Sequence, residues 1–400
     1  MSAPEKLAPG APAPTGFIPL SVPEIRGNEW KYVKECLDTA WVSSGGSFVD
    51  RFERSVAEYV GAKHAVATVN GTAALHTALL LTGVQPDDEV LVSTLTFIAP
   101  ANAIRYVGAW PVFIDAEPEF WQMDPNLVAD FLTRGCQAKA GGLFNRKTGR
   151  RVRAILPVDI LGHPVNLDPI LELANRYGLA VVEDATESLG AEYKGARVGS
   201  LAPIACFSFN GNKIITTGGG GMIVTNDTRW AERARYLTTQ AKDDEVEYIH
   251  AEVGFNYRLT NIQAAMGVAQ MEQLDSYVKA KSRIAGNYSE ALRSVPGLTT
   301  MAQAPWARST FWMYVVLVDP VRYGMTSRDL LGSLAARRIQ TRPLWQPIHL
   351  SGAHRGSVVL DAPVAERLNR CALSLPCSVG LSDDEQAAVI ERVREAGRKS

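Results

Sequence analysis

A lysine precedes four consecutive glycines in the segment FSFNGNKIITTGGGGMIVTND, residues 207–227. Lys213 follows an apolar run that is typical of a buried strand, although a lone lysine near a sheet edge usually extends into solvent. Here the glycines let the backbone approach a large ligand, and an amine partly removed from water is a nucleophile toward carbonyl carbon. The glycines precede a strand, so they do not form a dinucleotide-binding fingerprint. The segment predicts a Schiff-base lysine.

Three other segments place polar or aromatic residues directly after apolar runs. NGTA at 70–73 opens a helix whose N–H groups could bind a phosphate, or form an ordinary helix cap. Phe97 could stack on a flat ligand or lie in the core. Asp184 needs a cationic partner, because burying a lone carboxylate is costly. With Ser208 and Lys213, these residues form the set that pyridoxal phosphate requires.

Seven short β-rich runs alternate with helical patterns along the first part of the chain. This alternation predicts an α/β fold, and the mostly apolar runs predict strands that are covered on both faces. No helix fits between the last two runs, so these are expected to pair antiparallel. The runs are residues 65–69, 89–94, 110–116, 154–160, 180–185, 204–210 and 221–227.

Composition excludes several classes of protein. The formal net charge is −1 and the basic residues are scattered, which disfavours nucleic acid as a partner. The 5 cysteines lack CxxC spacing, which favours reduced thiols and argues against a disulfide framework or a zinc site. No apolar segment reaches the length of about 18 residues that a membrane span requires, and the N-terminus lacks an apolar signal region. We therefore expect a cytoplasmic protein that binds neither membrane nor metal.

The chain is expected to form one large and one small domain. Residues 1–16 are rich in Pro and Ala and predict a flexible arm. Residues 17–265 contain all seven strand segments and predict the large domain. Residues 266–400 begin with a long helical pattern and predict a bridging helix and a smaller α+β domain. Within the large domain, residues 136–153 predict a surface hairpin that turns at Lys147–Gly149.

Several motifs together resemble the DegT/DnrJ/EryC1/StrS sugar aminotransferases, which are pyridoxal phosphate enzymes of fold type I. The resemblance covers about residues 18–385. It implies a large mixed seven-stranded sheet, a small C-terminal α+β domain, and a homodimer with active sites at the subunit boundary. The motifs, in chain order, are NGTAAL, TFIAPANA, ILPVDILGHPVNLD, VVEDATES, FSFNGNKIITTGGGGMIVT, GFNYRLTNIQAAMG and TRPLWQPIH.

The resemblance also implies roles for individual residues. Lys213 matches the lysine that forms the internal aldimine and then moves a proton between cofactor and sugar. Asp184 matches the aspartate that pairs with the pyridinium nitrogen. Glu187 stands where the family often has Gln near the phenolic oxygen, so its role is open. The other cofactor contacts implied by the resemblance are Gly71, Thr72 and Ser208 at the phosphate, Phe97 over the ring, and Asn256 reaching the phosphate of the other subunit.

Substrate contacts are expected from two further segments. These are the loop with Trp41, Ser43 and Ser44, and the TRPLWQPIH segment with Arg342 and His349. His349 could touch the substrate or hold a loop in place, and the sequence does not distinguish these roles.

The resemblance favours an aminotransferase that takes its amino group from glutamate through a pyridoxamine phosphate form. Through the NGNKIITT segment, the resemblance implies amination at C4 of a nucleotide-linked 4-keto-6-deoxy sugar. We expect a UDP-linked 2-acetamido-4-keto-2,6-dideoxyhexose for polysaccharide assembly, although the sequence does not indicate the nucleotide base. GDP-4-keto-6-deoxymannose is the alternative, followed by a 3-keto sugar nucleotide. A deoxysugar dehydratase is disfavoured because those relatives replace the lysine with histidine, and a non-catalytic regulator because Lys213 and Asp184 are both present.

Overall fold

Strands and helices alternate along most of the chain. The structure, a computed structural model, describes residues 16–244 and 246–397, so residues 1–15 of the predicted arm lie outside the described residues. The helices are α1 (Glu29–Asp38), α2 (Ser47–Val60), α3 (Gly71–Leu81), α4 (Ala99–Tyr106), α5 (Pro125–Asp130), α6 (Leu167–Tyr177), α7 (Thr228–Thr238), α8 (Asn261–Met271), α9 (Leu274–Leu292), α10 (Pro320–Tyr323), α11 (Ser327–Ala335), α12 (Pro363–Cys371) and α13 (Asp383–Ala396). The strands are β1 (His64–Thr68), β2 (Glu89–Ser93), β3 (Trp110–Ile114), β4 (Cys136–Lys139), β5 (Gly142–Asn145), β6 (Arg151–Leu156), β7 (Ala180–Val181), β8 (Glu183–Asp184), β9 (Glu192–Tyr193), β10 (Ala196–Arg197), β11 (Ile204–Ser208), β12 (Gly221–Thr225), β13 (Leu298–Thr300), β14 (Ala307–Arg308), β15 (Tyr314–Val318), β16 (Val358–Val359) and β17 (Ala372–Leu375).

A large mixed sheet contains all seven predicted strand segments. Its spatial order is β1, β12, β11, β8 with β7, β6, β2 and β3. β8 pairs with β11 and β7 with β6, both in parallel, and the bridge between Val158 and Asp184 joins the two halves. β12 is antiparallel to β1 and β11, so the predicted antiparallel final pair is confirmed. The predicted α/β fold is also confirmed.

Helices cover both faces of this sheet. Successive residues of a strand therefore enter different hydrophobic clusters, as the two-residue period of a strand requires. Val66 of β1 packs in one cluster while Ala67 packs in a second. In β2, Val92 packs in the first cluster while Leu91 packs in a third. This two-sided burial explains why most of the segments are apolar throughout.

The later part of the chain begins with two helices and continues into a second sheet. The predicted long helical stretch is divided into α8 and α9 at residues 272–273. After α9, the strands β13, β15 and β17 form a three-stranded antiparallel sheet. The domain boundary at residue 265 stays a prediction. Among the described residues, no helix combines the length and apolar character that crossing a bilayer requires.

The predicted turn at Lys147–Gly149 is confirmed and joins the antiparallel strands β5 and β6. Residues 136–153 contain a second turn that was not predicted, because β5 also pairs antiparallel with β4. The Glu89 carboxylate explains the position of the predicted turn, since it accepts hydrogen bonds from Asn145 and Thr148 at 2.8 Å. A further strand that the sequence did not indicate, β16, adds in parallel to β3.

Candidate active site

The first turn of α3 forms one wall of the candidate site. The Asn70 side chain caps the helix by accepting a hydrogen bond from the Ala73 N–H at 2.8 Å. The N–H groups of Gly71 and Thr72 belong to the first turn, where an α-helix has no partner for them. The segment is therefore both a helix cap and a possible phosphate site. Asn70 caps the helix, and the N–H groups of Gly71 and Thr72 stay available to bind an anion next to Ser208.

The backbone at Gly71 passes close to two neighbouring side chains. A Cβ there would lie 2.9 Å from the Cβ of Ser208 and 3.2 Å from the Cγ2 of Thr186. The hydroxyl of Ser208 would be at 3.3 Å. The space beside the first turn of α3 is therefore kept open by the absence of a side chain, as a bound phosphate requires.

Lys213 lies in the loop between β11 and β12. Its backbone N–H donates to the Asn210 carbonyl at 3.0 Å, and its side chain is 13% exposed. The Nζ atom is 3.5 Å from Oε1 of Glu187 and 4.0 Å from the centre of the Trp312 ring. A carboxylate and an aromatic face thus contact a largely buried amine.

The glycines that follow Lys213 have a structural reason that differs from close approach to a ligand. A Cβ on Gly221 would lie 2.4 Å from the Asn70 carbonyl oxygen, and a Cβ on Gly220 would lie 2.3 Å from Oγ1 of Thr217. Gly218 has a φ of +78°, a region that favours glycine. The glycines therefore allow the loop to pack against Asn70, where α3 begins.

Asp184 and Glu187 are buried carboxylates next to Lys213. Oδ1 of Asp184 accepts a hydrogen bond from the Thr186 N–H at 3.1 Å. Burial raises the pKa of Asp184, although the Thr186 hydrogen bonds and the charge of Lys213 act in the opposite direction. Burial also raises the pKa of Glu187, opposed first by the charge of Lys213. A protonated ring nitrogen beside Asp184 would offset the cost of burying its charge.

Two more acidic side chains lie beneath this pair. Burial raises the pKa of Asp159 from 3.8 to about 7, although Asp159 accepts hydrogen bonds from the Val165 N–H and the Ser188 hydroxyl. Burial also raises the pKa of Glu183, whose Oε2 has no hydrogen-bond partner among the described residues. Repulsion among these four carboxyl groups makes it unfavourable for all of them to be ionised together.

A cavity of about 290 Å³ brings together seven of the residues that the sequence singled out. It also contains residues that sequence reasoning missed, among them Thr96, Asn212 and Trp312. Trp345 lines it too, and the only signal for that residue was its place in the TRPLWQPIH motif. The seven are Gly71, Thr72, Phe97, Asp184, Glu187, Ser208 and Lys213.

The remaining cofactor candidate and the first substrate loop lie outside this cavity. Asn256 forms a backbone bridge with Thr239 and does not line the cavity. Trp41 is 61% exposed, and the Ser43 carbonyl accepts a hydrogen bond from the Asn261 N–H at 2.6 Å. Ser44 is exposed as well. Within one chain, these residues therefore do not meet the lysine.

The second predicted substrate segment is divided. Arg342 lines a neighbouring cavity of about 240 Å³, which shares Asn212, Trp312 and Trp345 with the first cavity. The His349 ring is hydrogen-bonded at Nδ1 to the Thr94 hydroxyl at 2.7 Å and lies 3.4 Å from the Glu366 carboxylate through Nε2. His349 lines neither cavity. Its contacts agree with the alternative in which it holds a loop in place.

The residues of the larger cavity fit pyridoxal phosphate. The open helix end with two hydroxyls suits the phosphate, and the buried Asp184 carboxylate suits the ring nitrogen. Phe97 is 55% exposed and offers a ring face at the cavity wall. Lys213 would supply the amine for the aldehyde carbon. The fold and this site define a fold type I enzyme that uses pyridoxal phosphate.

Comparison with known proteins identifies the family. Residues 23–394 match the model of the DegT/DnrJ/EryC1/StrS aminotransferase family, and the chain belongs to this family. The GDP-perosamine synthase of Caulobacter vibrioides is 42% identical over 376 residues, covering 93% of this chain and 96% of that protein. The GDP-perosamine synthase of Escherichia coli O157:H7 is 38% identical, covering 95% and 98%.

A solved structure gives the same result for the fold. The DesV protein of S. venezuelae superposes with a TM-score of 0.84 at 33% identity, covering 93% of this chain and 95% of that chain. The predicted family, cofactor and enzyme class are therefore confirmed, and this protein is a pyridoxal-phosphate-dependent aminotransferase.

Proposed function

We propose that this enzyme is a sugar-nucleotide aminotransferase that moves the amino group of glutamate to C4 of GDP-4-keto-6-deoxymannose. The two relatives named GDP-perosamine synthase support this sugar, because each is similar to this chain over nearly its whole length. The UDP-linked 2-acetamido sugar expected from the sequence becomes the second candidate. One observation carries the transfer chemistry: the Lys213 amine contacts a buried carboxylate and an aromatic ring in the cavity that contains Asp184.

The phosphate of the cofactor is proposed to bind at the start of α3. Two N–H groups there, from Gly71 and Thr72, lie at the positive end of the helix dipole. The hydroxyls of Thr72 and Ser208 are further donors, since both residues line the same cavity. This anchoring fixes the distance between the reacting carbon and the lysine, which is the main contribution of positioning to catalysis.

Asp184 is proposed to hold a proton on the ring nitrogen of the cofactor. When bound, pyridoxal phosphate supplies an electron-accepting ring, and a positive charge on that nitrogen strengthens the acceptor. Burial disfavours the ionised form of Asp184 when no cation is near. A ring cation at hydrogen-bond distance reverses this preference, so that Asp184 is ionised while the cofactor is in place.

Lys213 is proposed to move the proton during transfer. Its Nζ accepts the proton from Cα of the amino acid donor, and the resulting ammonium is stabilised by the Glu187 carboxylate 3.5 Å away. In the second half-reaction, Nζ delivers a proton to the sugar carbon. Glu187 is itself oriented by the Leu161 N–H, which donates to its Oε2 at 2.8 Å.

A homodimer is proposed to complete the site. Asn256 lies outside its own cavity, which is consistent with a contact to the phosphate bound by a second subunit. The loop at Trp41, Ser43 and Ser44 is proposed to reach the substrate in the same way.

Arg342 is proposed to bind an anionic group of a substrate. It is exposed and lines the smaller cavity, which adjoins the first one at the stacked pair Trp312 and Trp345. A guanidinium binds carboxylate and phosphate oxygens through two parallel hydrogen bonds. Both proposed substrates carry such groups, so the smaller cavity supports alternate binding of donor and sugar.

The substrate is tested by loading the enzyme with pyridoxamine phosphate and offering one keto sugar at a time. The sugars are GDP-4-keto-6-deoxymannose, the UDP-linked 2-acetamido-4-keto sugar and a 3-keto sugar nucleotide. We expect the GDP sugar to be converted to an amino sugar, detected by mass spectrometry, with return of the cofactor's absorbance. Preferential conversion of the UDP sugar contradicts the proposed sugar, and conversion of only the 3-keto sugar contradicts amination at C4.

A control connects the reaction to the lysine. Borohydride should fix the cofactor covalently to the wild-type protein and not to Lys213→Ala. Covalent fixation in that variant would show that a different amine carries the chemistry.

A further inference from the structure

Trp312 contacts the reactive amine directly. The centre of its ring is 4.0 Å from Nζ of Lys213, well within the range of about 6 Å for an attraction between a cation and an aromatic face. Trp312 is only 4% exposed, so little water competes with this contact. The contact is attractive when Lys213 is an ammonium and much weaker when it is a neutral amine.

One hydrogen bond fixes the Trp312 ring to the loop that carries the lysine. The indole Nε1–H donates to the carbonyl of Asn212 at 2.7 Å, and Asn212 is the residue before Lys213. The ring also stacks on Trp345, with centroids 6.4 Å apart and planes inclined by 10°. The hydrogen bond to Asn212 therefore keeps the Trp312 ring at a fixed position relative to Lys213.

The backbone of Trp312 is anchored from the other side. Its carbonyl accepts a hydrogen bond at 2.8 Å from Nζ of Lys281, a buried lysine on α9. The preceding residue, Phe311, has a φ of 49°, a conformation that is rare for a bulky residue. The Thr310 N–H donates to the Gly162 carbonyl at 3.0 Å and so helps to hold this conformation. Strained backbone persists only where its surroundings enforce it, and it is concentrated at functional sites.

We propose that Trp312 is a positioning residue that holds the free amine of Lys213 and favours its protonated form during proton transfer. Lys213 would be released from the cofactor in the half-reaction with the amino acid and would already be a free amine at the start of the half-reaction with the sugar. In both half-reactions its Nζ must take up a proton and give it away again. The aromatic face then stabilises the ammonium together with Glu187, while the bond to Asn212 keeps the loop in place. The inference rests on the proposed role of Lys213 in proton transfer.

Two substitutions separate the ring face from the indole N–H. Trp312→Leu removes both, and Trp312→Phe keeps an aromatic face. Contacts of this kind contribute about 0.5–2 kcal/mol, which corresponds to about a 2- to 30-fold change in rate. We expect Trp312→Leu to lower kcat for the half-reaction with glutamate by such a factor with little change in KM, and Trp312→Phe to recover most of the loss. Trp306→Leu is the matched control, because Trp306 lies six residues earlier in the sequence and lines neither cavity.

Two readouts exclude a merely structural effect. The rate with glutamate deuterated at Cα should fall further relative to ordinary glutamate in Trp312→Leu, because proton transfer becomes more rate-limiting. The affinity of the cofactor-free protein for pyridoxamine phosphate, which cannot bond to Lys213 through an aldehyde, should stay within about 2-fold of wild type, because Trp312 is not part of the phosphate cup.

The outcomes are distinct. An unchanged isotope effect in Trp312→Leu, or a loss of pyridoxamine phosphate affinity equal to the loss of rate, overturns the role of Trp312. If the wild-type protein does not react with glutamate, the proposed donor is wrong, and the same comparison is made with the amino acid that it accepts. A Trp312→Leu variant with normal kcat and isotope effect for that donor also overturns the inference.

Discussion

Replacing Gly71 with alanine should weaken cofactor binding while the protein stays folded. The added Cβ would meet the Cβ of Ser208 at 2.9 Å, about 0.5 Å closer than the ordinary contact distance of 3.4 Å. Overpacking of this kind costs about 1–3 kcal/mol, which corresponds to about 5- to 150-fold weaker binding. Ser208 lines the same cavity, so a phosphate bound there would restrict the adjustment that relieves this contact, and we expect the cost to appear mainly in cofactor binding.

The fold itself should tolerate the change. Gly71 is in the first turn of α3 and has no positive φ, and alanine is favoured over glycine in a helix by up to about 1 kcal/mol. Thermal unfolding of the cofactor-free variant should therefore be close to that of wild type. Affinity is measured by titrating cofactor-free protein with pyridoxamine phosphate, so that bonding to Lys213 does not contribute.

Gly286→Ala provides the matched control. Gly286 lies within α9, and no atom lies within 4 Å of the position of its added Cβ. This variant should be slightly more stable than wild type and bind the cofactor equally well. If Gly71→Ala binds pyridoxamine phosphate as tightly as Gly286→Ala does, the phosphate does not lie at the start of α3.

Three further changes test neighbouring groups. Burial raises the pKa of Asp159 from 3.8 to about 7, so its contribution to stability is complete below pH 3.8 and is lost as the pH rises through about 7. Thermal unfolding followed against pH should show a smaller loss in Asp159→Asn than in wild type, because Glu183, Asp184 and Glu187 also have pKa values raised by burial and still contribute. Asn256→Ala should weaken cofactor retention in equilibrium dialysis, and a fully active monomer would contradict a shared site. Lys213→Met should slow the glutamate half-reaction about 10²–10⁴-fold in single-turnover assays, the range of general acid–base catalysis, while pyridoxamine phosphate still binds.

The central sheet and much of the site could be predicted because local sequence determines both. Strands that are buried on both faces require apolar runs, and ligands collect where parallel strands end. Ser208 and Asp184 are the last residues of their strands, and Gly71 is the first residue of the helix after β1. The sequence therefore indicated that all three residues lie at the same edge of the sheet. Family resemblance then assigned roles that spacing alone left open.

Other features depend on contacts that no local pattern encodes. Trp312 meets Lys213 across 99 positions of the chain, and the left-handed conformation before it occurs at a phenylalanine rather than at glycine or asparagine. β16, which pairs with β3, is only two residues long, so its sequence is too short to show the alternation of apolar and polar residues that indicates a strand. The sequence predicts that the glycines after Lys213 allow a ligand to approach, whereas in the structure Gly221 packs against Asn70 and Gly220 against Thr217.

The strand order also has a consequence for synthesis on the ribosome. β1 pairs with β12, whose residues follow it by more than 150 positions, and β12 in turn separates β1 from β11. A nascent chain that ends before Gly221 therefore contains the apolar strand β1 without the strand that pairs with it. Such long-range pairing slows folding and exposes unpaired edges. The first half of this enzyme is expected to depend on chaperones until the strand after the glycines emerges.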